Sequence, residues 1–133
     1  MASNTTPIFP LTPYIAGCSV TGTTTDKSGA TTTNIVTLLT AQSNHTKVTR
    51  IRYKFVGTST AGTALVWITD TNGTTIYACL EQTYAAITSS TTVASAEGEF
   101  VLNDYQLKSG QLIRVGNTTV NTNCHWTAQQ GDY

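Results

Sequence analysis

The sequence predicts an all-β protein: a single antiparallel β-sandwich, jelly-roll-like, with an extended N-terminal arm. Three observations predict it. From Lys47 to Val56 the residues alternate strictly, with Ile51, Tyr53 and Phe55 on one face and Arg50, Arg52 and Lys54 on the other. That is the period of two of a half-buried strand. Elsewhere no window sustains an apolar period of 3.6, and short alternating runs recur between clusters of Gly, Asn, Ser and Thr. Finally, about one residue in five of the 133 is Thr, while only 11% are charged. Thr is β-branched, stiff at χ1 and suited to a pleated, half-exposed surface.

The arm comes first. All three prolines, Pro7, Pro10 and Pro13, fall at a spacing of three, each followed by an apolar residue: Ile8, Leu11 and Tyr14. A polyproline II segment turns once every three residues, so the prolines line one edge and the apolar residues another. Such a segment is stiff and does not fold by itself; it needs a surface to lie on, in its own domain or in a neighbouring subunit. Residues 1–15 are assigned to this arm and residues 16–133 to the sandwich.

The strands follow in order. Residues 16–21 form a first short strand, and residues 22–33, low-complexity apart from Asp26 and Lys27, form an exposed loop. Asn34 to Thr40 carries Ile35, Val36, Leu38 and Leu39 as a second strand, and Gln42 to Thr46 turns into the strong strand 47–56. After a break at Gly57 to Gly62, the runs 65–70 and 74–81 flank Thr71-Asn72-Gly73, the clearest hairpin signal in the chain. Residues 82–96 read as a crossover between sheets. Strands resume at 99–102 and on either side of a turn at Ser109-Gly110, and the last, about 121–130, points Cys124, Trp126 and Ala128 inward.

Chemistry is sparse. Seven basic and seven acidic residues cancel, so no long-range steering toward nucleic acid or an anionic membrane is expected. No run approaches the ~20 apolar residues of a membrane helix, and the opening residues lack the regions of a signal peptide. Cys18, Cys79 and Cys124 form no CxxC pair and read as reduced, mostly buried thiols of a protein made in a cytoplasm. His125 lies between Cys124 and Trp126, and neighbours on a strand face opposite ways, so Cys124 and His125 do not converge on a metal. Neither metal nor cofactor is expected. Glu97 and Glu99 are too close in sequence for the two carboxylates of a glycosidase cleft. No phosphate loop, GxSxG or HExxH is present, and the expectation is that the chain is not an enzyme.

Two features keep binding in view. Arg50, Arg52 and Lys54 can be ion-paired by Glu97 and Glu99, can dock an acidic protein partner, or can touch nucleic acid. The last is disfavoured because Tyr53 and Phe55 point away from them, leaving no stacking platform. Trp67 and Trp126 read as core. An exposed Trp67 beside Asp70 and Asn72 would instead suit a sugar.

The arm Thr6-Pro-Ile-Phe-Pro-Leu-Thr-Pro-Tyr-Ile15 and the terminus Gln130-Gly-Asp-Tyr133, with the Thr/Gly/Ala-rich middle between them, carry a resemblance. The chain resembles small structural proteins encoded by tailed bacteriophages and prophages. It departs from their usual pattern in its three cysteines and its His125-Trp126 pair. The resemblance implies a virion protein made in the host bacterial cytoplasm, most simply a capsid decoration (cement) protein. It would bind the major capsid protein or other virion proteins as a homo-oligomer, a trimer being the favoured form, with no nucleic acid or membrane partner. Under that reading Pro7, Ile8, Phe9, Pro10, Leu11, Pro13 and Tyr14 form the partner-binding strap, and Arg50, Arg52 and Lys54 a second contact face. The alternatives are a low-copy tail, adaptor or head-fibre component, and a carbohydrate-binding sandwich for host attachment.

Overall fold

In the computed structural model, which describes residues 12–30, 33–42 and 45–132, eight strands form. They are β1 (Thr12–Val20), β2 (Val36–Thr40), β3 (Thr46–Val56), β4 (Gly62–Thr69), β5 (Ile76–Tyr84), β6 (Glu97–Leu107), β7 (Leu112–Asn117) and β8 (Asn123–Asp132). Sheet A has the order β1-β8-β3-β6 and sheet B the order β2-β7-β4-β5. All pairings are antiparallel, and the two sheets pack face to face as the expected β-sandwich. First strand pairs with last, β2 with β7, β3 with β6 and β4 with β5. Only β4 and β5 are a hairpin within one sheet; every other connection carries the chain to the opposite sheet.

The apolar alternation decides which faces meet. In β8, Cys124, Trp126 and Ala128 are fully buried while His125, Thr127 and Gln129 are exposed. In β3, Ile51, Tyr53 and Phe55 are buried, and the alternation breaks once, where Thr49 and Arg50 are both exposed. The register shifts there against both neighbours, and this bulge lets Val48 and Ile51 both face the core. Aromatic rings pack along sheet A and across to sheet B: Tyr53 lies 5.1 Å between centroids from Trp126 of the neighbouring strand, and Phe55 lies 4.8 Å from Tyr84 of sheet B.

Strand β4 is buried on both sides. Ala64, Val66 and Ile68 face the inter-sheet core, yet Leu65 and Trp67 on the other side are also 0% and 1% exposed. The segment preceding β2 covers them. Trp67 Nε1 donates to Lys27 O at 2.9 Å, and Thr24 N donates to Asn117 O at 2.9 Å. Gly29, at a φ of 78°, passes so close that a Cβ would lie 2.9 Å from Trp67 Cδ1. The Thr-rich stretch expected as an exposed loop is therefore a cover over the outer face of sheet B, and Trp67 lies beneath it rather than between the sheets.

Other boundaries also differ. Thr12 to Ile15, assigned to the arm from sequence, are the opening residues of β1, paired with Asp132 to Gln129. Pro13 is accommodated because β1 is an edge strand, where a missing N–H breaks no continuous ladder. Strand β5 runs on to Tyr84, into the expected crossover, because Tyr84 is buried and its Oη donates to Thr119 O at 2.8 Å. Pro7, Ile8, Phe9, Pro10 and Leu11 lie outside the described residues.

Candidate functional site

The outer face of sheet A collects the residues singled out from sequence. Pairing registers set them in rows: Ile15, Gln129, Arg50 and Val101; then Gly17, Thr127, Arg52 and Glu99; then Ser19, His125, Lys54 and Glu97. Each cation has a carboxylate beside it. Arg50 Nε lies 3.4 Å from Glu99 Oε1, Arg52 Nε 3.5 Å from Glu99 Oε2, and Lys54 Nζ 4.0 Å from Glu97 Oε2. These are solvent-exposed pairs, each contributing under ~1 kcal/mol. They offset most of the stripe's charge, two carboxylates against three cations, and Tyr53 and Phe55 lie in the core behind it. A shallow hollow of about 290 Å³ lies among Arg52, Lys54, Glu97 and Thr127.

One contact on this face has catalytic-looking geometry. Ser19 Oγ is 2.7 Å from His125 Nδ1. An activated nucleophile also needs a group that orients the base and stabilises its protonated form. The residue paired beside His125 is Lys54, a cation, and the contact sits on an open sheet face. His125 thus anchors β8 to β1.

At the end of the face where β1 begins, the surface opens into a groove of about 660 Å³. Ile15, Lys47, Thr49 and Gln129 border it, with Tyr14, Gln130 and Gly131 completing its lining. Ile15 is 68% exposed, the largest value among the described large apolar side chains. Gln130 is 6% exposed, and its buried Oε1 accepts no hydrogen bond. The structure thus brings Tyr14 of the expected strap and Pro13 of β1 to one end of the face that also carries Arg50, Arg52 and Lys54. Sequence reasoning missed Ile15, Thr49 and Gln129. The phase of β1, with Val20 buried and Ser19 exposed, was the available signal that Ile15 points outward.

The remaining candidates are packing groups. Burial pushes the Cys18 thiol up to about 11 and the Cys124 thiol up to about 12, the Asn117 side chain partly opposing the rise at Cys124. Cys79 is the exposed thiol of the three, raised by burial and Glu81 against the opposing charge of Lys27. Trp67 and Trp126 are both buried, so neither offers a face to a sugar beside Asp70 and Asn72. Among the described residues, no three His, Cys, Asp or Glu side chains are grouped to hold a metal. No helix there is long and apolar enough to cross a membrane. Compared with known families and with curated proteins, the chain matches neither a family model nor an individual protein.

Proposed function

We propose that this chain is a non-enzymatic virion structural protein, a capsid decoration protein of the tailed-phage kind that binds the head through its arm and the outer face of sheet A. The observation that carries this reading is the hold on the residues that follow the proposed strap. Strand β1, which begins at Thr12, is held to β8 by nine consecutive residue pairs, Thr12↔Asp132 to Val20↔Cys124. A pull along the arm loads these pairs together in shear, the geometry a strap needs. The groove at the same root adds an apolar contact through Ile15.

Two further features support it. We read the strand order, in which a long doubled strip wraps into two sheets, as a jelly roll. A Thr-coated surface with few charges stays soluble, and its short side chains lose little entropy when a partner covers them. Modest contacts of this kind become strong when repeated over a symmetric shell, because each further contact forms at high effective concentration. The partner is the major capsid protein or another virion protein, and the oligomer is a trimer.

The test uses purified source particles. Quantitative mass spectrometry against the major coat protein is expected to give a comparable copy number. Particles stripped of the chain should rebind the full chain and fail to rebind one lacking residues 2–11. A small, ring-like count moves the chain to a tail or fibre position, and absence from the particle, or equal rebinding without the arm, overturns the proposal.

A further inference from the structure

We propose that the free edge of β5 pairs with the β5 edge of a second copy of this chain, antiparallel and centred on Leu80. The contact goes beyond the decoration reading, since it uses neither the arm nor the outer face of sheet A.

The pairing registers fix which groups this edge offers. Thr118 N donates to Thr63 O at 3.0 Å, so Thr63, Leu65 and Trp67 bond to β7. Ala64, Val66 and Ile68 then bond to β5, where their partners are Gln82, Leu80 and Ala78. The N–H and C=O of a strand residue point to one side, and the side alternates along the strand. Cys79, Glu81 and Thr83 therefore turn both groups away from β4, along the outer side of an edge strand. Among the described residues none supplies these groups with a main-chain partner.

The other three sheet edges are guarded. Strand β1 carries Pro13, which has no N–H. Strand β2 is five residues long and shifts register against β7 between Thr37 and Leu39. The register of β6 against β3 also shifts, and Gln82 Nε2 donates to the outward-facing Glu99 O at 3.3 Å. Strand β5 shifts register only before Ala78, and from there to Tyr84 it holds neither proline nor glycine. An uninterrupted edge of this kind is a template for another strand.

Charge selects the occupant and the register. Glu81 is the only charged residue of β5. Centring the pair on Glu81 sets two carboxylates against each other, which is destabilising. Centring it on Cys79 brings the register shift before Ala78 into the new ladder. Centring it on Leu80 avoids both and sets Glu81 opposite Cys79 of the second copy. Cys79 Sγ lies 3.6 Å from Lys27 O, and Lys27 Nζ lies 3.3 Å from Glu81 Oε2. Each Glu81 then stands between its own Lys27 and that of the second copy, so the edge complements itself. Cys79 and Glu81 form the hydrogen-bonded pairs, each exchanging both main-chain bonds. On the inner side, Leu80 meets Leu80 and Ala78 meets Gln82. Ala78 and Leu80 pack on the core with part of their surface open, and the pairing closes it. A patch that binds itself is complete at two copies, so copies held in a trimer can still join their neighbours through it.

The experiment uses the full chain and reads hydrogen exchange residue by residue, at high concentration and after dilution. The Cys79 and Glu81 amides are expected to lose protection at least tenfold on dilution, while Leu80 and Gln82, bonded to β4, stay slow. In an equal mixture of isotope-labelled and unlabelled protein, an NOE between copies should join Ala78 Hα to Gln82 Hα. Glu81→Pro removes an N–H that points away from β4, and Glu81→Lys keeps the main chain but sets three cations together. Both should abolish the NOE and the dependence on dilution, with near-UV circular dichroism unchanged. Cys79 and Glu81 amides that exchange fast at every concentration overturn the proposal. Amides that stay slow at every concentration overturn it in favour of a cover from the chain itself. NOEs from β5 to any other segment of the second copy, or full pairing in Glu81→Lys, overturn it as well.

Discussion

At the scale of single residues, a buried polar link ties the two sheets together. Asn117 of β7 is fully buried, and its Oδ1 accepts a hydrogen bond from Trp126 Nε1 of β8 at 3.0 Å, joining sheet B to sheet A. Indole N–H groups buried without an acceptor are costly, so Asn117→Ala is expected to lower stability by about 1–3 kcal/mol. A urea unfolding series reads this as a lower midpoint at unchanged slope; an unchanged midpoint would show that water or another group replaces the amide. Nothing in the sequence marked Asn117, which stands in a polar run before Thr118 and Thr119. Trp126 was legible as core because its strand alternates, but its partner comes from the other sheet. Gly98 is a similar case: a Cβ there would run into Gln82 Oε1 and Tyr53 Oη, a constraint set by side chains far away in sequence.

At the scale of elements, the β4–β5 hairpin is where local chemistry alone fixes the structure. Asp70 Oδ1 accepts from Thr74 N at 2.9 Å, Oδ2 accepts from Thr74 Oγ1 at 3.1 Å, and Gly73 takes the positive φ that the turn needs. Burial alone would raise the Asp70 carboxyl, but hydrogen bonds from Thr75 and Thr74 together hold it below its ordinary value. A group lowered on folding contributes stability above its unfolded pKa and loses it as pH falls through the folded one. The stability difference between the protein and Asp70→Asn should therefore be constant near neutral pH. It should shrink to nothing under acid, below about 3.9; denaturant midpoints across that range check it. This hairpin, β3 and β8 were all legible, because turn residues and a period of two act locally. Strand β4 was legible as a strand, but its second buried face was not. What buries Leu65 and Trp67 is a segment some forty residues earlier whose composition reads as loop. Likewise β1 begins before its sequence pattern suggests, since Thr12–Ile15 become strand only when β8 is beside them.

At the scale of the molecule, the boundary between arm and sandwich sets what can be removed. A chain lacking residues 2–11, studied at a dilution where it is monomeric, should keep its melting temperature. Removal of residues 2–15 also takes away the pairing of Thr12–Ile15 with Asp132–Gln129 and should lower it by several degrees, at roughly 3–6 °C per kcal/mol for this size. Scanning calorimetry of the two truncations checks the difference, and equal melting temperatures would place the strand boundary elsewhere. The candidate site was half legible: the cation stripe and the strap residues stood out as patterns, whereas the groove exists only where β1, β3 and β8 meet. That meeting has a consequence in time. Strand β8 sits between β1 and β3, so the centre of sheet A is the last strand to be synthesised. From the appearance of β1 until β8 has been made, on the order of ten seconds of translation, the first strand has no neighbour in its sheet. Thr12–Val20 therefore acquire their sheet pairing only after synthesis has passed Asp132, so the N-terminal end of the sandwich is the last part of sheet A to be locked in place.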